Sequence, residues 1–362
     1  MHIHARAIKY FDMIRRSGSI REAARRLHVA SSTVNRQLLQ LEEEIGSPLF
    51  ERMTQGLRLT PAGEVFSRHV ITVLQDEVRL RSELDMLRGV RRGSVSVAAV
   101  EGVNADLMPT LLTRMHERYP GVRVHLVTCG SAQVAKAVTQ GDADVGIGFA
   151  IERNEALHQC TLGQFALGAI VPPDHPIGRL ARVDFVTCTA YPMVLPTPGL
   201  SLHGLLQPVI AHHKRPLNVV METSSIELAK QLVERGMGLF FQSRLGLERE
   251  LAERRLVHVP LDTPQPVYSE LGVYVRSGRS LPPALDAFIQ IASELRGNLV
   301  FDAGIDGFDQ GLTLTQRKIR QPIRVNFKVL DDDHPRYRVS DCFTFLTGMF
   351  HTASFEKTHL HR

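Results

Sequence analysis

A segment close to the N-terminus carries side chains that suit the reading of DNA bases. Its apolar positions are spaced by four, three and four residues, which predicts a helix over residues 31–45 with one buried stripe: Val34, Leu38, Leu41 and Ile45. The other face offers hydroxyl, amide and guanidinium groups: Ser31, Ser32, Thr33, Asn35, Arg36, Gln37 and Gln40. Arginine pairs with guanine in the major groove, and Asn or Gln pairs with adenine. The spacing therefore predicts a recognition helix.

Two helices and a turn precede this segment and must position it. Apolar spacing predicts helices over residues 3–14 and 20–27, followed by a turn at His28-Val29. Three helices with a short turn before the third match helix-turn-helix geometry. Two short strands then flank residues 54–56, with Arg52 and Arg58 available for the DNA backbone, so we expect a wing.

The charge distribution points to the same partner. Residues 1–92 hold 16 Lys+Arg against 11 Asp+Glu, whereas residues 93–362 hold 27 of each. The whole excess of the chain, a net charge of +5, therefore lies in the N-terminal part. A basic module joined to a neutral body favours a polyanion partner such as DNA over the alternative of a solvated basic face with no partner.

A long helix is predicted after the wing. Thr60 and Pro61 form a start signal, with Thr as the N-cap and Pro at the first helical position. Steps of four and three then run to Leu87 along one seam: Phe66, Val70, Val73, Glu77, Leu80, Leu84 and Leu87. Such a heptad predicts pairing of two subunits, a homodimer or tetramer. The alternative is a helix packed on its own domain.

Several collinear motifs identify the N-terminal part with a known family. It resembles the DNA-binding domain of LysR-type transcriptional regulators in Ala23-Ala24-Arg25-Arg26-Leu27, Leu41-Glu42-Glu43-Glu44-Ile45-Gly46, Pro48-Leu49-Phe50-Glu51-Arg52 and Leu59-Thr60-Pro61-Ala62-Gly63. The family usually opens its third helix with Ser-Gln-Pro, where this chain has Ala30-Ser31-Ser32. This departure bears on which promoter sequence the protein prefers. Because the Ala30 side chain cannot accept a hydrogen bond, we expect Ser31 or Ser32 to cap the helix.

The remaining body alternates strands and helices. This order predicts two α/β lobes joined by two crossings, which resembles the family's effector-binding half. The predicted fold class is α/β, with an N-terminal all-α winged helix-turn-helix and a two-lobed, periplasmic-binding-protein-like effector domain. The expected divisions are residues 1–60 (DNA binding), 61–92 (linker helix), 93–165 with 265–296 (lobe 1), 166–264 (lobe 2) and 297–362 (an extension outside the resemblance).

A ligand cleft is expected between the lobes. Gly130-Ser131 and the apparent capping box of residues 224–227 open two helices, whose N-terminal N–H groups and dipoles favour a carboxylate or similar anion. In the resembled fold both starts face the cleft, and the candidate effector-binding residues are Val100, Glu101, Gly130, Ser131, Thr197, Ser201, Thr223 and Ser224. Glu101 is unusual beside an anion and indicates an effector that bears a donor group.

Other classes of protein fit the sequence less well. There is no complete nucleophile elbow, dinucleotide fingerprint or zincin motif, so we expect no enzyme, no metal and no cofactor. The histidine pair His212-His213 fits a helix end better than a metal site. Cys129, Cys160, Cys188 and Cys342 form no close pair and are expected to be reduced thiols. A passive DNA-binding structural protein would not need a neutral two-lobed body of this length.

These expectations combine into one function. The sequence predicts a cytoplasmic transcriptional regulator, with no membrane span, that binds promoter DNA and responds to a small-molecule, anionic effector. RNA polymerase is a candidate further partner. The alternatives are an effector-independent regulator and one that responds through cysteine oxidation.

Overall fold

The N-terminal part folds into a helical domain with a small wing. The computed structural model describes residues 5–54, 56–87, 92–213, 216–263 and 267–295. The domain consists of α1 (Ala5–Ser17), α2 (Ile20–Leu27), α3 (Ser31–Ile45), the antiparallel pair β1 (Phe50–Met53) and β2 (Gly56–Leu59), and the long helix α4 (Pro61–Leu87). The predicted extension, residues 297–362 with Cys342, lies outside the described residues.

The apolar stripe of α3 holds this domain together. Val34, Leu38 and Leu41 are buried, as predicted, against α1 and α2. The start of α3 differs from the expectation. Its N-cap is Ala30, which makes no side-chain hydrogen bond, so the prediction that Ser31 or Ser32 caps the helix is wrong. Ser31 and Ser32 are instead exposed in the first turn.

Helix α4 divides between two environments. Thr60 caps it as predicted, because its Oγ1 accepts a hydrogen bond from the Gly63 N–H at 3.0 Å. Phe66 and Val70 then pack into the core of the helical domain, with the Phe66 ring 4.8 Å from that of Phe11. The first part of the predicted seam therefore packs on its own domain, as in the alternative to subunit pairing given above. Leu80 and Leu84 lie farther along, 55% and 44% exposed.

The first lobe is built on a parallel sheet. β3 (Gly93–Ala99) lies between β4 (Val122–Thr128) and β5 (Val145–Phe149). The helices α5 (Leu107–Arg118) and α6 (Ser131–Thr139) connect these strands, and a 3-10 turn at Glu101–Val103 follows β3. The C-terminal helix α11 (Pro283–Leu295) packs on α5 and β3. One continuous apolar core surrounds this sheet.

The second lobe has its own apolar core. In chain order its elements are β7 (Val183–Asp184), α7 (Phe185–Cys188), β8 (Met193–Pro196), α8 (Ser201–Ala211), β9 (Val219–Thr223), α9 (Ile226–Glu234), β10 (Phe240–Ser243), α10 (Glu248–Ala252) and β11 (Val257–Asp262). A 3-10 turn at Pro176–Arg179 precedes them.

Two long strands join the lobes. β6 (Leu157–Val171) pairs with β12 (Tyr268–Arg276) through its first part and with β10 and β11 through its end. From sequence alone, the alternation of strands and helices predicts a strand here only over residues 166–171. The additional residues, 157–165, mix apolar with polar residues and glycine, and they form a strand because β12 runs antiparallel beside them, which a local pattern does not reveal. The chain thus crosses between the lobes on a paired ribbon.

Candidate DNA-binding surface and effector cleft

The outer face of α3 lies open at its first two turns. Ser31, Ser32, Arg36 and Gln40 are exposed, and Thr33, Asn35 and Gln37 are half-buried beside them. Gln37 and Gln40 share a hydrogen bond at 3.5 Å, and Gln40 reaches Glu44 at 3.4 Å. The N–H groups at the start of the helix have no side-chain cap, which leaves them available for a phosphate.

Most cations of the helical domain are already paired within the protein. Arg25 and Arg26 both contact Glu22 at 2.7 Å, and their hydrogen bonds lower the pKa of that carboxyl to about 2. On the wing, Arg58 contacts Glu51 at 2.6 Å. Within the described part of the chain, five exposed arginines of this domain have no ion pair: Arg6, Arg21, Arg36, Arg52 and Arg68. Arg36 and Arg52 belong to the predicted DNA surface.

A cavity of about 600 Å³ lies between the two lobes. Six of the residues predicted for effector binding line it: Val100, Glu101, Gly130, Ser131, Ser201 and Ser224. Thr197 and Thr223 do not line it. The Thr197 N–H donates to the Thr223 carbonyl at 3.0 Å, and Thr223 is buried behind the wall. Six of the eight residues therefore lie along one cavity, and the other two do not line it.

Helix α6 starts at Gly130-Ser131, as predicted. Gly130 is the N-cap, and no side chain caps the helix. Ser131 donates its hydroxyl to the Phe149 carbonyl at 2.9 Å, so it anchors the helix to β5 and does not cap it. A Cβ at Gly130 would lie 2.7 Å from the Gly199 carbonyl oxygen of the other lobe. Glycine at this position thus lets the two lobes approach each other at the cleft.

The start of α9 is capped from the other lobe. Ser225 is the N-cap, not Ser224, so the predicted capping box is wrong. Glu101 of the first lobe accepts three hydrogen bonds there: from Ser225 Oγ at 2.9 Å, from the Ile226 N–H at 3.0 Å and from the Glu227 N–H at 3.3 Å. The anion that was expected at this helix start is therefore a side chain of the protein itself.

A buried lysine closes the floor of the cleft. Lys230 is 3% exposed, and its Nζ donates to Glu250 at 2.6 Å and to the Gly246 carbonyl at 3.3 Å, with Glu227 at 2.9 Å. Burial lowers the pKa of Lys230, but hydrogen bonds to Glu250 and Glu227 outweigh burial and raise it overall. Lys230 therefore stays protonated, and the carboxylates of Glu250 and Glu227 balance its charge.

Sequence reasoning missed Lys230 and Gln242 as lining residues. The sequence did offer a signal for Gln242, because a polar residue directly follows the apolar run Leu239-Phe240-Phe241. Lys230 gave none, because lysine on an amphipathic helix normally faces water.

The three cysteines in the described part of the chain, Cys129, Cys160 and Cys188, lie in surroundings that disfavour the thiolate form. Burial raises the pKa of the Cys129 and Cys160 thiols. Burial, with the charge of Asp184, raises that of Cys188 to about 12. A reactive sensor cysteine needs the opposite shift. Cys129 lines the cleft but is a poor nucleophile there.

Helix α6 connects the cleft with the DNA-binding domain. Its first turn borders the cavity, and residues 140–142, at and just after its C-cap, contact α1. Arg15 donates to the Gln140 carbonyl at 2.9 Å, and Arg16 donates to the Gly141 carbonyl at 3.0 Å and contacts Asp142 at 2.8 Å. Cations at a helix C-terminus are favourable because they oppose the negative end of its dipole.

The neighbouring helix α4 adds to this junction. Arg276 at the end of β12 donates to Gln75 at 3.0 Å and to Thr72 at 2.9 Å. Gly141, whose φ is +72°, packs closely against α4, because a Cβ at this position would lie 2.9 Å from the side chain of Ile71. The first lobe is therefore tied to the DNA-binding domain through both α1 and α4.

Two family models match the chain. "Bacterial regulatory helix-turn-helix protein, lysR family" matches residues 5–64, and "LysR substrate binding domain" matches residues 88–296. Along the part of the chain that the structure describes, no helix combines the length and apolar character that a bilayer crossing requires. The same residues contain no cluster of three or more His, Cys, Asp or Glu able to hold a metal ion.

Individual relatives agree with these matches. A RuBisCO operon transcriptional regulator of Allochromatium vinosum is 27% identical over 80% of this chain and 95% of its own length. A probable RuBisCO transcriptional regulator of Cyanidioschyzon merolae is 30% identical over 67% of this chain and 82% of its own. Among solved structures, full-length OxyR of Pseudomonas aeruginosa has a TM-score of 0.61 at 18% identity, covering 81% of this chain and 98% of that one. The last similarity concerns the fold.

Proposed function

Because the chain belongs to the LysR family of transcriptional regulators, we propose that it binds one promoter sequence through α3 and the wing and that a small anionic effector in the interlobe cleft changes this binding. The chain acts as a homodimer or tetramer, and RNA polymerase is its further partner at the promoter. The DNA contacts come from the exposed face of α3, with Arg36 as the base reader, and from Arg52 on the wing.

Helix α6 is the observation that carries this proposal. Its uncapped first turn borders the cavity, where N–H groups and the helix dipole favour an anion. Residues 140–142, at and just after its C-cap, are held by Arg15 and Arg16 of the DNA-binding domain. A ligand that moves α6 by part of an ångström moves the groups that hold α1. The effector then biases an existing equilibrium between two arrangements of the DNA-binding domains.

The cysteine-responsive alternative has less support. The pKa of each described thiol lies above its ordinary value, which makes oxidation by peroxide slow.

Footprinting of promoter DNA with the full chain tests the DNA half of the proposal. Arg36→Ala should weaken specific binding by about 1–3 kcal/mol, because it removes a base contact. Arg26→Ala is the matched control, since Arg26 is exposed on α2 and already paired with Glu22. Equal affinities of Arg36→Ala and the parent would refute the assignment.

Asp142→Asn tests the second half of the proposal, which is the coupling between the effector cleft and the DNA-binding domain. It removes the ion pair to Arg16 without touching the α3 surface. Promoter binding without effector should persist, while the effector-induced change of the footprint should shrink. Asp174→Asn, an exposed aspartate of the second lobe, is the control. An undiminished response in Asp142→Asn would remove α6 from the mechanism.

A further inference from the structure

The wall of the cleft formed by the second lobe is rich in acceptors. Glu101 crosses from the first lobe and occupies the N-terminus of α9 with the three hydrogen bonds described above. A ligand carboxylate at that helix start would have to displace a carboxylate that is covalently part of the chain and already in place. Of the helix starts that border the cleft, those of α6 and α8 have no side-chain cap and are open to an external anion, whereas that of α9 is occupied by Glu101.

The charge of the cavity points the same way. The charged side chains that line it, within the described residues, are Glu101, Glu227 and Lys230. Lys230 has three N–H donors, and it meets three acceptors: Glu250, Glu227 and the Gly246 carbonyl. The lysine therefore has no donor left for a ligand. The lining is net negative, which disfavours a ligand with two acidic groups.

One buried acceptor in this wall has no partner. Gln242 is 4% exposed and lines the cavity. Its Nε2 donates to the Ser243 carbonyl at 3.3 Å, which fixes the orientation of the amide because a carbonyl can only accept. Its Oε1 is buried and makes no hydrogen bond within the described part of the chain. A buried acceptor of this kind is satisfied by a donor from a ligand.

We propose that the effector presents an ammonium group to the part of the wall formed by Glu101, Glu227 and Gln242, with its acidic group toward the uncapped start of α6. The effector class is thus an amino acid with separated ammonium and carboxylate groups. Glu101 is the residue that decides against a dicarboxylate. An ammonium group offers three donors and no acceptor, which matches a wall of carboxylate and amide oxygens. This inference rests on the proposed role of the cleft as the effector site.

Matched pairs of small molecules test the ligand class on the full chain. β-Alanine and succinate share a spacer of two methylene groups, 4-aminobutyrate and glutarate share three, and 5-aminovalerate and adipate share four. Isothermal titration calorimetry should detect binding of at least one of these amino acids, at least tenfold tighter than the dicarboxylate of the same spacer. A dicarboxylate that binds equally well, or a series in which no amino acid binds, overturns the proposal.

Two variants locate the preference. Glu101→Gln keeps the side chain's shape and removes its charge, so the amino acid should lose at least tenfold in affinity while the matched dicarboxylate gains. Gln242→Leu should weaken the amino acid alone. Glu117→Gln, on the exposed face of α5, is the control for loss of a carboxylate outside the cleft. A preference for the amino acid that survives in both cleft variants overturns the assignment.

A separate readout distinguishes this inference from the proposed function. If an amino acid binds with the expected preference but leaves the promoter footprint unchanged, the ligand class holds and the regulatory role fails. If a dicarboxylate binds and changes the footprint, the regulatory role holds and the ligand class fails.

Discussion

The buried pair of Lys230 and Glu250 makes a quantitative prediction about the second lobe. The two side chains are 4% and 8% exposed, and their charged atoms lie 2.6 Å apart. Lys230→Met keeps the length of the aliphatic stem and removes the ammonium. The Glu250 carboxylate then remains buried, and its nearest cation is Arg255 at 4.0 Å.

The magnitude follows from the cost of an uncompensated buried charge. Removing one partner of a buried ion pair typically costs about 3–5 kcal/mol, whereas replacing both partners by apolar residues is often close to neutral. Lys230→Met should therefore lower the free energy of unfolding by about 3–5 kcal/mol, and adding Glu250→Leu should restore most of it. Glu227 also loses its partner, but it is 56% exposed and contributes little.

Urea denaturation followed by far-ultraviolet circular dichroism measures these changes. The chain contains no tryptophan, so intrinsic tryptophan fluorescence cannot serve as the probe. The pH dependence supplies a second measurement. The folded pKa of Lys230 is raised above 10.5, so its contribution is complete below that pH and is lost as pH rises through the folded value. A cost below about 1 kcal/mol for Lys230→Met, or no recovery in the double variant, would refute the reasoning.

Three further predictions concern the helical domain and the thiols. The double variant Leu80→Asp with Leu84→Asp puts charges on the exposed end of α4 and should dissociate the oligomer, as measured by sedimentation velocity. Val65→Asp, at a position 61% exposed on the same helix, is the control and should not dissociate it. An unchanged sedimentation coefficient of the double variant would show that this end of α4 does not pair the subunits. Thr60→Ala should cost about 1 kcal/mol in urea denaturation through loss of the α4 cap, and a cost near zero would contradict that role. Cys188, whose pKa is about 12, should react with iodoacetamide at pH 7 far more slowly than free cysteine, because its thiolate fraction is about one in 100,000; labelling at the free-cysteine rate would contradict the shift.

Local patterns were sufficient for the DNA-binding domain. The bounds of α2 and α3 were predicted correctly because their apolar spacing lies within the elements themselves, although the cap of α3 was not. The first part of β6 was missed, since its strand conformation depends on β12, more than a hundred residues away.

The cleft was predictable only as a set of segments. The starts of α6 and α9 were correctly expected at the cavity, because strand–helix turns at the edge of a sheet can be located from sequence. Which group binds at each helix start could not be predicted from the sequence. Glu101 reaches Ser225 across 124 positions of sequence, and only the packing of the lobes brings the two together. The same holds for Lys230, whose partner Glu250 lies on another helix.

The ion pairs of the helical domain reduce the salt dependence that its composition would imply. Counterions released from DNA drive binding, and the logarithm of affinity falls with the logarithm of salt concentration by about 0.9 per phosphate neutralised. The first 41 residues contain eight Lys and Arg. Five of them, Lys9, Arg15, Arg16, Arg25 and Arg26, are engaged by carboxylates of the chain itself. The other three, Arg6, Arg21 and Arg36, are exposed and have no ion pair within the described residues, so this segment of each subunit displaces roughly three counterions rather than eight. Affinity for promoter DNA then depends less on charge neutralisation than on the base contacts of α3, and discrimination between promoters persists over a wider range of ionic strength.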